Sequence, residues 1–372
     1  MIQRVVLHNF KAFQYAEIGL EKLNLFTGMN GMGKSSFIQS LLLLRQSVLF
    51  GGASMLRNGV LLKGQYIEIG NGKDAQNINA DSDNIGFEID FEDGTSLSLE
   101  YSFSAESDFL GCHNVRFKEE EILKQVLFTH GNFQYLSAER KSPSNTFSSS
   151  SSQISLYHSL GKFGEFTAHY IAIYQRQPLH LAELIINEAP NTLLDQIDAW
   201  YSRITPNTHL KATYFPELDL AKLTFSFGTG TDATPEFTPI NVGFGFTYVL
   251  PVITAVLAAK KGDLIIIENP ESHLHPQGQA QLGELFAKAA QAGVQLIIET
   301  HSDHLLNGVR VAVKKQQIIP ENVSVFYFER SNESTEHITE IIQPQIDKNG
   351  RLSQQPKGFF DEYAKQLDQL LQ

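Results

Sequence analysis

Cysteine is almost missing from this chain. Cys112 is the single one in 372 residues, which excludes an intramolecular disulfide and any multi-cysteine zinc or iron–sulfur cage. A reducing, cytoplasmic setting fits that scarcity. Long apolar runs are missing too: the stretches Leu41–Leu44, Val249–Ala259 and Leu264–Ile267 fall well short of the ~20 residues that cross a bilayer, so no membrane span is expected. The opening Met-Ile-Gln-Arg-Val-Val has neither a basic flank before an apolar core nor a small-residue cleavage site, and no export signal is expected. Positive charge is in short supply, with 29 Lys and Arg against 41 Asp and Glu for a net charge of −12. Nucleic acid is repelled on average, and DNA binding would need a local basic face. What the chain does have is apolar bulk. A hydrophobic content of 42% and 26 Phe supply enough surface to bury against chain entropy, for one large domain or two ordinary ones.

Arg4–Phe10 and Leu23–Thr27 read as short strands, the second ending at a glycine, and Ser36–Phe50 reads as a buried helix without Gly or Pro. Ile85, Phe87, Ile89 and Phe91 alternate with small or acidic residues, Asp93-Gly94 supplies a turn, and Leu97, Leu99, Tyr101 and Phe103 alternate again. That pattern predicts a hairpin. The five serines Ser148–Ser152 read as a mobile connection between lobes. Leu156–Ile204 reads as mainly helical, with short strands at Leu210–Phe215 and Leu223–Phe227. Helices at Phe246–Ala259, Gln277–Ala292 and His304–Lys314 then alternate with apolar strands at Leu264–Ile267, Leu296–Glu299 and Val323–Phe328. Such alternation predicts a largely parallel sheet in an α/β fold.

The residues from Gly28 to Ser35 satisfy G-x-x-x-x-G-K-S between a predicted strand and a predicted helix, the context of a phosphate-binding loop. Gly28, Gly31 and Gly33 let the backbone amides face the phosphates, Lys34 brings a point charge to the β and γ phosphates, and the Ser35 hydroxyl is suited to Mg²⁺. A dinucleotide fold is a poorer fit, because its glycines fall as G-x-G-x-x-G with no Lys-Ser after them. Leu264–Glu268 is an apolar strand ending in an acid, which places Glu268 as the magnesium-side carboxylate. Asn269-Pro270-Glu271 follows, and Glu271 is a second carboxylate suited to orienting or deprotonating the attacking water. Asn241-Val-Gly-Phe-Gly-Phe-Thr247 sets Gly243 and Gly245 at the start of a predicted helix, a construction suited to an anion. His301 follows the strand Leu296–Glu299, at the strand end where α/β sites collect. His273 and His275 are too few for a structural zinc. His301, Ser302 and Asp303 are consecutive, so they cannot point at one another as a hydrolase triad.

In this order the segments resemble the ABC-type head ATPases of the structural-maintenance-of-chromosomes (SMC) and RecF group, and more closely the compact overcoming-lysogenisation-defect (OLD-like) class. Leu7-His-Asn-Phe-Lys-Ala-Phe13 is similar to that group's first strand. Glu268-Asn-Pro-Glu-Ser-His-Leu-His-Pro276 resembles the acidic-motif extension of OLD-like proteins, and Tyr135-Leu-Ser-Ala-Glu-Arg140 resembles a landmark of the class. Ile346–Gly350 and Gly358-Phe-Phe-Asp361 resemble a short C-terminal domain of unknown function found on one branch.

The resemblance implies an ABC-type P-loop head with an antiparallel β lobe and an inserted helical lobe. The expected boundaries are 1–147 for the first ATPase lobe, 148–240 for the insertion, 241–330 for the second ATPase lobe and 331–372 for the tail. It makes Gly28–Ser36, with Asn30, Gly31, Gly33, Lys34, Ser35 and Ser36, the Walker A loop. Asn241–Thr247, with Gly243 and Gly245, becomes the signature counterpart, Glu268 the Walker B acid, His273–Pro276 the dimer-contacting loop, and His301 the switch histidine at the γ-phosphate.

ATP and Mg²⁺ are the implied cofactors. A second copy is the implied partner, with ATP sandwiched between two heads. Asn269 occupies the position that usually holds the catalytic glutamate, so either Glu271 takes over that role or hydrolysis is slow. The Toprim nuclease domain of many OLD-like proteins has no counterpart here, and no nuclease site is expected within the chain. The expected function is a slow Mg²⁺-dependent ATPase switch that controls a separately encoded nuclease or toxin, in prokaryotic defence against phage. The alternatives are a non-hydrolysing ATP-sensing scaffold and a DNA-repair or chromosome-associated ATPase.

Overall fold

The computed structural model describes residues 1–228, 230–330, 338–355 and 362–371. The chain divides into two compact units. One is built from Met1–Thr129 with the described parts of Ser324–Gln345 and Leu352–Gln372, the other from His130–Val323 with Ile346–Arg351. The expected motif Gly358–Asp361 lies outside the described residues.

The first unit opens with strands β1 (Ile2–Phe10), β2 (Phe13–Gly19) and β3 (Leu23–Gly28), the long helix α1 (Lys34–Gly51), then α2 (Ser54–Asn58), β4 (Gly59–Leu61) and α3 (Gly72–Ala75). Strands β5 (Asn84–Phe91), β6 (Ser96–Ser102) and β7 (Phe109–Arg116) follow, with the short α4 (Glu119–Ile122). A six-stranded sheet runs β2-β1-β5-β6-β7-β4, and each neighbouring pair is antiparallel. The expected hairpin is β5–β6, with Ile89 opposite Leu97 and the Asp93 carboxylate accepting from the Thr95 amide in the turn. Its alternating residues Phe87, Ile89, Phe91, Leu97, Leu99 and Tyr101 are all buried, as the period of two requires. Strand β2 is not in the sequence reading. It sits at the sheet edge with Gln14, Tyr15 and Glu17 exposed, so its apolar content is too low to announce it.

Helix α1 buries Leu41–Leu44 on all sides and takes Arg45, Gln46 and Ser47 inside with them. The polar groups are satisfied: the Arg45 guanidinium donates to the Leu127 and Thr129 carbonyls, and Gln46 donates to the Leu61 carbonyl. A helix apolar all round belongs in a core.

The second unit contains β8 (Phe133–Leu136), β9 (Phe147–Ser148), α5 (Ser151–Ser155), α6 (Thr167–Tyr174), α7 (Leu193–Ile204), β10 (Thr208–Phe215) and β11 (Leu220–Phe227). These lead into α8 (Phe244–Leu257), β12 (Leu264–Glu268), α9 (Pro276–Gln291), β13 (Gln295–Glu299) and α10 (Asp303–Lys314). Strand β12 pairs in parallel with β13 on one side and β8 on the other, the parallel core that the strand–helix alternation predicts. A separate antiparallel sheet runs β10-β11-β9.

Two expectations need correction here. The serine run is a helix start rather than a mobile connection, because the Ser150 hydroxyl accepts from the Gln153 amide and caps α5. Leu156–Ile204 is helical only in α6, α7 and one 3₁₀ turn. Gly161 and Gly164 adopt positive φ, and Pro178 and Pro190 interrupt the rest, so the apolar content there packs as loops.

Helices α9 and α10 meet backbone to backbone. A Cβ on Gly308 would lie 2.2 Å from the Ala280 carbonyl oxygen, and one on Gly283 2.4 Å from that of Leu305. Gly308→Ala is therefore expected to force the helices apart at a cost of about 1–3 kcal/mol. Thermal denaturation should show it as a drop of roughly 2–4 °C per kcal/mol.

The chain then returns to the first unit with β14 (Val323–Arg330), β15 (Thr339–Ile342) and α11 (Glu362–Leu371). Strand β14 lies beside β3 and pairs antiparallel with β15. The Thr27 hydroxyl, one residue before the glycine loop, donates to the Phe326 carbonyl at 3.0 Å.

Candidate functional site

The glycine loop leaves β3 and enters α1. Gly28, Gly31 and Gly33 have φ of 129°, 78° and 99°, conformations that cost an L side chain dearly. Gly28 also passes so close to β14 that a Cβ would meet the Phe328 carbonyl oxygen at 2.2 Å. Gly33 is the N-cap of α1, and no side chain caps the helix there. An uncapped N-terminus of an 18-residue helix offers amide groups and the positive end of the helix dipole to an anion. Asn30, Gly31 and Ser35 are exposed, Ser36 is half-buried, and Lys34 is buried. The Lys34 ammonium donates to the Gly28 and Met29 carbonyls at 2.8 Å each. It is folded back along the rim of its own loop.

The acidic cluster belongs to the second unit and grows from the C-terminal end of β12. The register sets Glu268 beside Glu299 on β13, and sets Ile266 beside Tyr135 and Ile267 beside Leu136 on β8. The segment after β8 bends over the end of β12 and holds it. The Tyr135 hydroxyl donates to one Glu268 carboxylate oxygen at 3.0 Å and the Ala138 amide to the other at 3.2 Å. Arg140 donates to the main-chain carbonyls of Glu268 and Asn269 at 2.5 and 3.0 Å. Glu268 is largely buried, and burial lifts its carboxyl above the usual carboxylate range against the pull of these donors.

Asn269 turns the chain with φ of 44°, and its amide donates to the Glu299 carbonyl at 2.8 Å. Glu271 then folds back toward the end of β13, where one carboxylate oxygen accepts from the His301 amide at 2.7 Å. Burial raises the Glu271 carboxyl as well. The other oxygen of Glu271 and the side-chain oxygen of Asn269 are buried with no hydrogen-bond partner in the protein. Two buried acceptors without donors are costly unless something else donates to them. The exposed His301 stands at the same strand end, so Glu268, Asn269, Glu271 and His301 form one cluster.

Ser302 is the N-cap of α10, its hydroxyl accepting from the Leu305 amide and donating to the Gln279 side chain at 2.5 Å. His275 caps α9, and the His273 ring lies edge-on to Tyr248. Among the described residues no group of three or more His, Cys, Asp or Glu is arranged to hold a metal alone.

Gly243 is the N-cap of α8. Gly245 passes the loop that follows Glu271 so closely that a Cβ would lie 2.5 Å from the His273 carbonyl oxygen. Beside it is an apolar cleft of about 390 Å³ lined by Tyr201, Ile204, Phe244, Phe246 and Leu274, among others. The roles of Tyr135 and Arg140 escaped the sequence reading. The tyrosine and arginine stood out as a landmark, but only strand pairing reveals that they reach the end of β12.

Residues 23–307 match the family described as "AAA domain, putative AbiEii toxin, Type IV TA system", and residues 318–370 match a "Protein of unknown function (DUF3696)". Among solved structures, the chain is similar to an SMC head bound to the C-terminal winged-helix domain of ScpA. The two share 14% identity over 93% of this chain and 99% of that one, with a TM-score of 0.52. It is also similar to a Pyrococcus furiosus Smc head with an extended coiled coil, bound to the C-terminal domain of ScpA. There the identity is 12% over 100% of this chain and 99% of that one, with a TM-score of 0.52. No curated protein matches the chain. Among the described residues no helix is long and apolar enough to cross a membrane.

Proposed function

Because the chain belongs to the family described as "AAA domain, putative AbiEii toxin, Type IV TA system" and shares the fold of SMC heads, we propose that it is an ABC-type P-loop ATPase that binds and slowly hydrolyses ATP as a conformational switch. The observation that carries this reading is the loop at 28–36. Three left-handed glycines open onto an uncapped helix N-terminus, with a lysine at its rim. That is a cradle for a triphosphate. Asn30, Gly31 and Gly33 present main-chain amides, Lys34 exchanges its loop carbonyls for phosphate oxygens, and Ser36 adds a hydroxyl at the start of α1.

The donor set suits Mg²⁺. Ser35 in the first unit and Glu268 in the second each carry a hard oxygen of the kind that binds this ion together with phosphates, and a cation beside Glu268 would favour the ionised form that burial opposes. Bound Mg²⁺ would neutralise charge on the phosphates. Glu271 is the proposed general base. Its unpartnered oxygen takes a proton from water as the water oxygen attacks the γ-phosphorus and the bond to the bridging oxygen breaks, giving ADP and phosphate. Asn269 orients that water without accepting its proton, and His301 contacts the γ-phosphate.

A second copy is the proposed partner, its segment 241–247 with Gly243 and Gly245 closing over the phosphates. The switch acts on a separately encoded nuclease or toxin in anti-phage defence. Support for a separate partner comes from the similar SMC heads, which are bound to domains of ScpA. Phosphate release with Mg²⁺ and ATP is the test. Activity per molecule is expected to rise with protein concentration until dimers saturate, and a concentration-independent rate in a monomeric sample would remove the two-headed site. ATP binding without turnover would instead make the protein a nucleotide-sensing scaffold. Stimulation by DNA would move it to the chromosome-associated class.

A further inference from the structure

We infer that Arg140 is a positioning residue for hydrolysis, its guanidinium fixing the strained turn that carries Glu268, Asn269 and Glu271. The inference rests on the reading of that cluster as the hydrolytic site. Asn269 adopts a left-handed φ of 44°, a region that asparagine tolerates better than most side chains, but Pro270 follows it, which pushes the preceding residue toward extended backbone. Such a turn persists only where its surroundings over-determine it.

Arg140 supplies much of that determination. Its two terminal nitrogens bond the carbonyls of two successive residues, Glu268 at 2.5 Å and Asn269 at 3.0 Å, so one rigid fork sets the peptide planes on both sides of the Asn269 Cα. From the opposite side the Asn269 amide donates to the Glu299 carbonyl. The Ser272 amide closes the turn onto the Asn269 carbonyl at 3.2 Å.

A charged residue is an expensive way to reach two carbonyls. Arg140 is 2% exposed, and among the described residues it has no carboxylate at salt-bridge distance. Its third nitrogen, Nε, is buried without a partner. Both Glu268 and Glu271 nevertheless lie within its electrostatic reach. The arrangement holds a fixed positive charge beside two carboxylates without occupying their oxygens, which are committed to Tyr135, Ala138 and His301 or left open. A fork that merely completed the packing would need no such charge.

Arg140 is itself anchored on both flanks. The Ser137 amide donates to the Lys162 carbonyl at 2.9 Å and the Lys141 amide to the Phe163 carbonyl at 2.8 Å. The segment they hold passes Pro251 of α8, where a Cβ on Gly164 would lie 2.4 Å from the proline ring. The arginine is held as rigidly as the turn it supports.

The experiment uses the full chain with Mg²⁺ and ATP, comparing the wild type with Arg140→Lys and Arg140→Gln. Each preparation is normalised to its ATP-binding stoichiometry by calorimetry, so unfolded material does not count. Neither replacement carries two donor nitrogens in one rigid planar fork, so neither holds both carbonyls in fixed geometry. The expected result is a fall in kcat of about 10- to 100-fold, since misplacement of about 1 Å can cost about 10²-fold. ATP affinity should stay within about twofold, because the loop at 28–36 is untouched. Lys, which keeps a charge, should fall less than Gln. Per-site turnover equal to wild type in either folded variant overturns the inference, as does an equal loss in affinity and kcat. A wild type that binds ATP and releases no phosphate fails the reading of the site itself, a distinct outcome.

Discussion

Replacing Lys34 by alanine is expected to weaken ATP binding by about 100-fold while leaving the protein folded. The ammonium has three donors, and two of them are spent on the Gly28 and Met29 carbonyls at 2.8 Å. Those carbonyls are modest partners compared with a triphosphate. A hydrogen bond to a charged group contributes roughly 1.5–3 kcal/mol, and every 1.4 kcal/mol is about tenfold in affinity. Moving two donors onto phosphate oxygens is therefore worth about two to four orders of magnitude, and the cost of abandoning the two carbonyls brings the expected effect down to about two.

The loss should not spread to the fold. Met29 is exposed, and water can satisfy the rim of the loop. Titration calorimetry with Mg²⁺ and ATP measures the effect directly. Thermal unfolding gives a second readout, since ligand at 100 times its dissociation constant should stabilise the wild type by about 2.7 kcal/mol and the variant hardly at all. An affinity within threefold of wild type would show that the loop does not grip the phosphates through this lysine.

What could be read in the sequence and what could not follows from how each feature is encoded. The glycine loop is local: three glycines, a lysine and a serine at fixed spacing dictate left-handed turns and a helix start, and no distant residue is needed. The β5–β6 hairpin is local in the same way, because its period of two is interrupted only by Asp93-Gly94. The edge strand β2 was hidden because its polar outer face, with Gln14, Tyr15 and Glu17 exposed, lacks the apolar weight that marks a strand. The serine run misled because five serines have the composition of a linker, while one of them, Ser150, acts as a helix cap.

The acidic cluster was legible in part. Glu268 at the end of an apolar strand and Glu271 three residues later could be singled out, but their supports lie far along the chain. Tyr135 and Arg140 reach them only through the parallel register of β8 with β12. His301 reaches Glu271 only because β13 ends beside the Asn269 turn. Register is a tertiary fact, and no periodicity in the chain announces it.

Glu271→Gln is expected to separate hydrolysis from binding and stability. The substituted amide would keep an oxygen to accept from the His301 amide, a bond now 2.7 Å long, so the loop should hold its shape. It would lose the ability to take a proton from water. Removal of a general base typically costs about 10²–10⁴-fold, and ATP affinity should change little because the phosphates are held elsewhere. With hydrolysis blocked, ATP should accumulate the associated state, visible as a shift toward dimer in sedimentation.

The pH dependence has a definite sign. Burial raises the Glu271 carboxyl above its ordinary range, so the basic form appears only as pH climbs through that raised value. The acid limb of the wild-type rate should therefore lie above the ordinary glutamate value of about 4.3. The same shift acts on stability. The folded, ligand-free chain favours the protonated carboxyl, so this group contributes most at low pH, and its contribution is lost as pH rises through the folded pKa. The glutamine variant has no charge to bury there and should be at least as stable as wild type near neutral pH, though far slower. A variant that kept wild-type turnover would leave Glu271 as no more than an anchor for the His301 backbone, and the proton would have to go elsewhere.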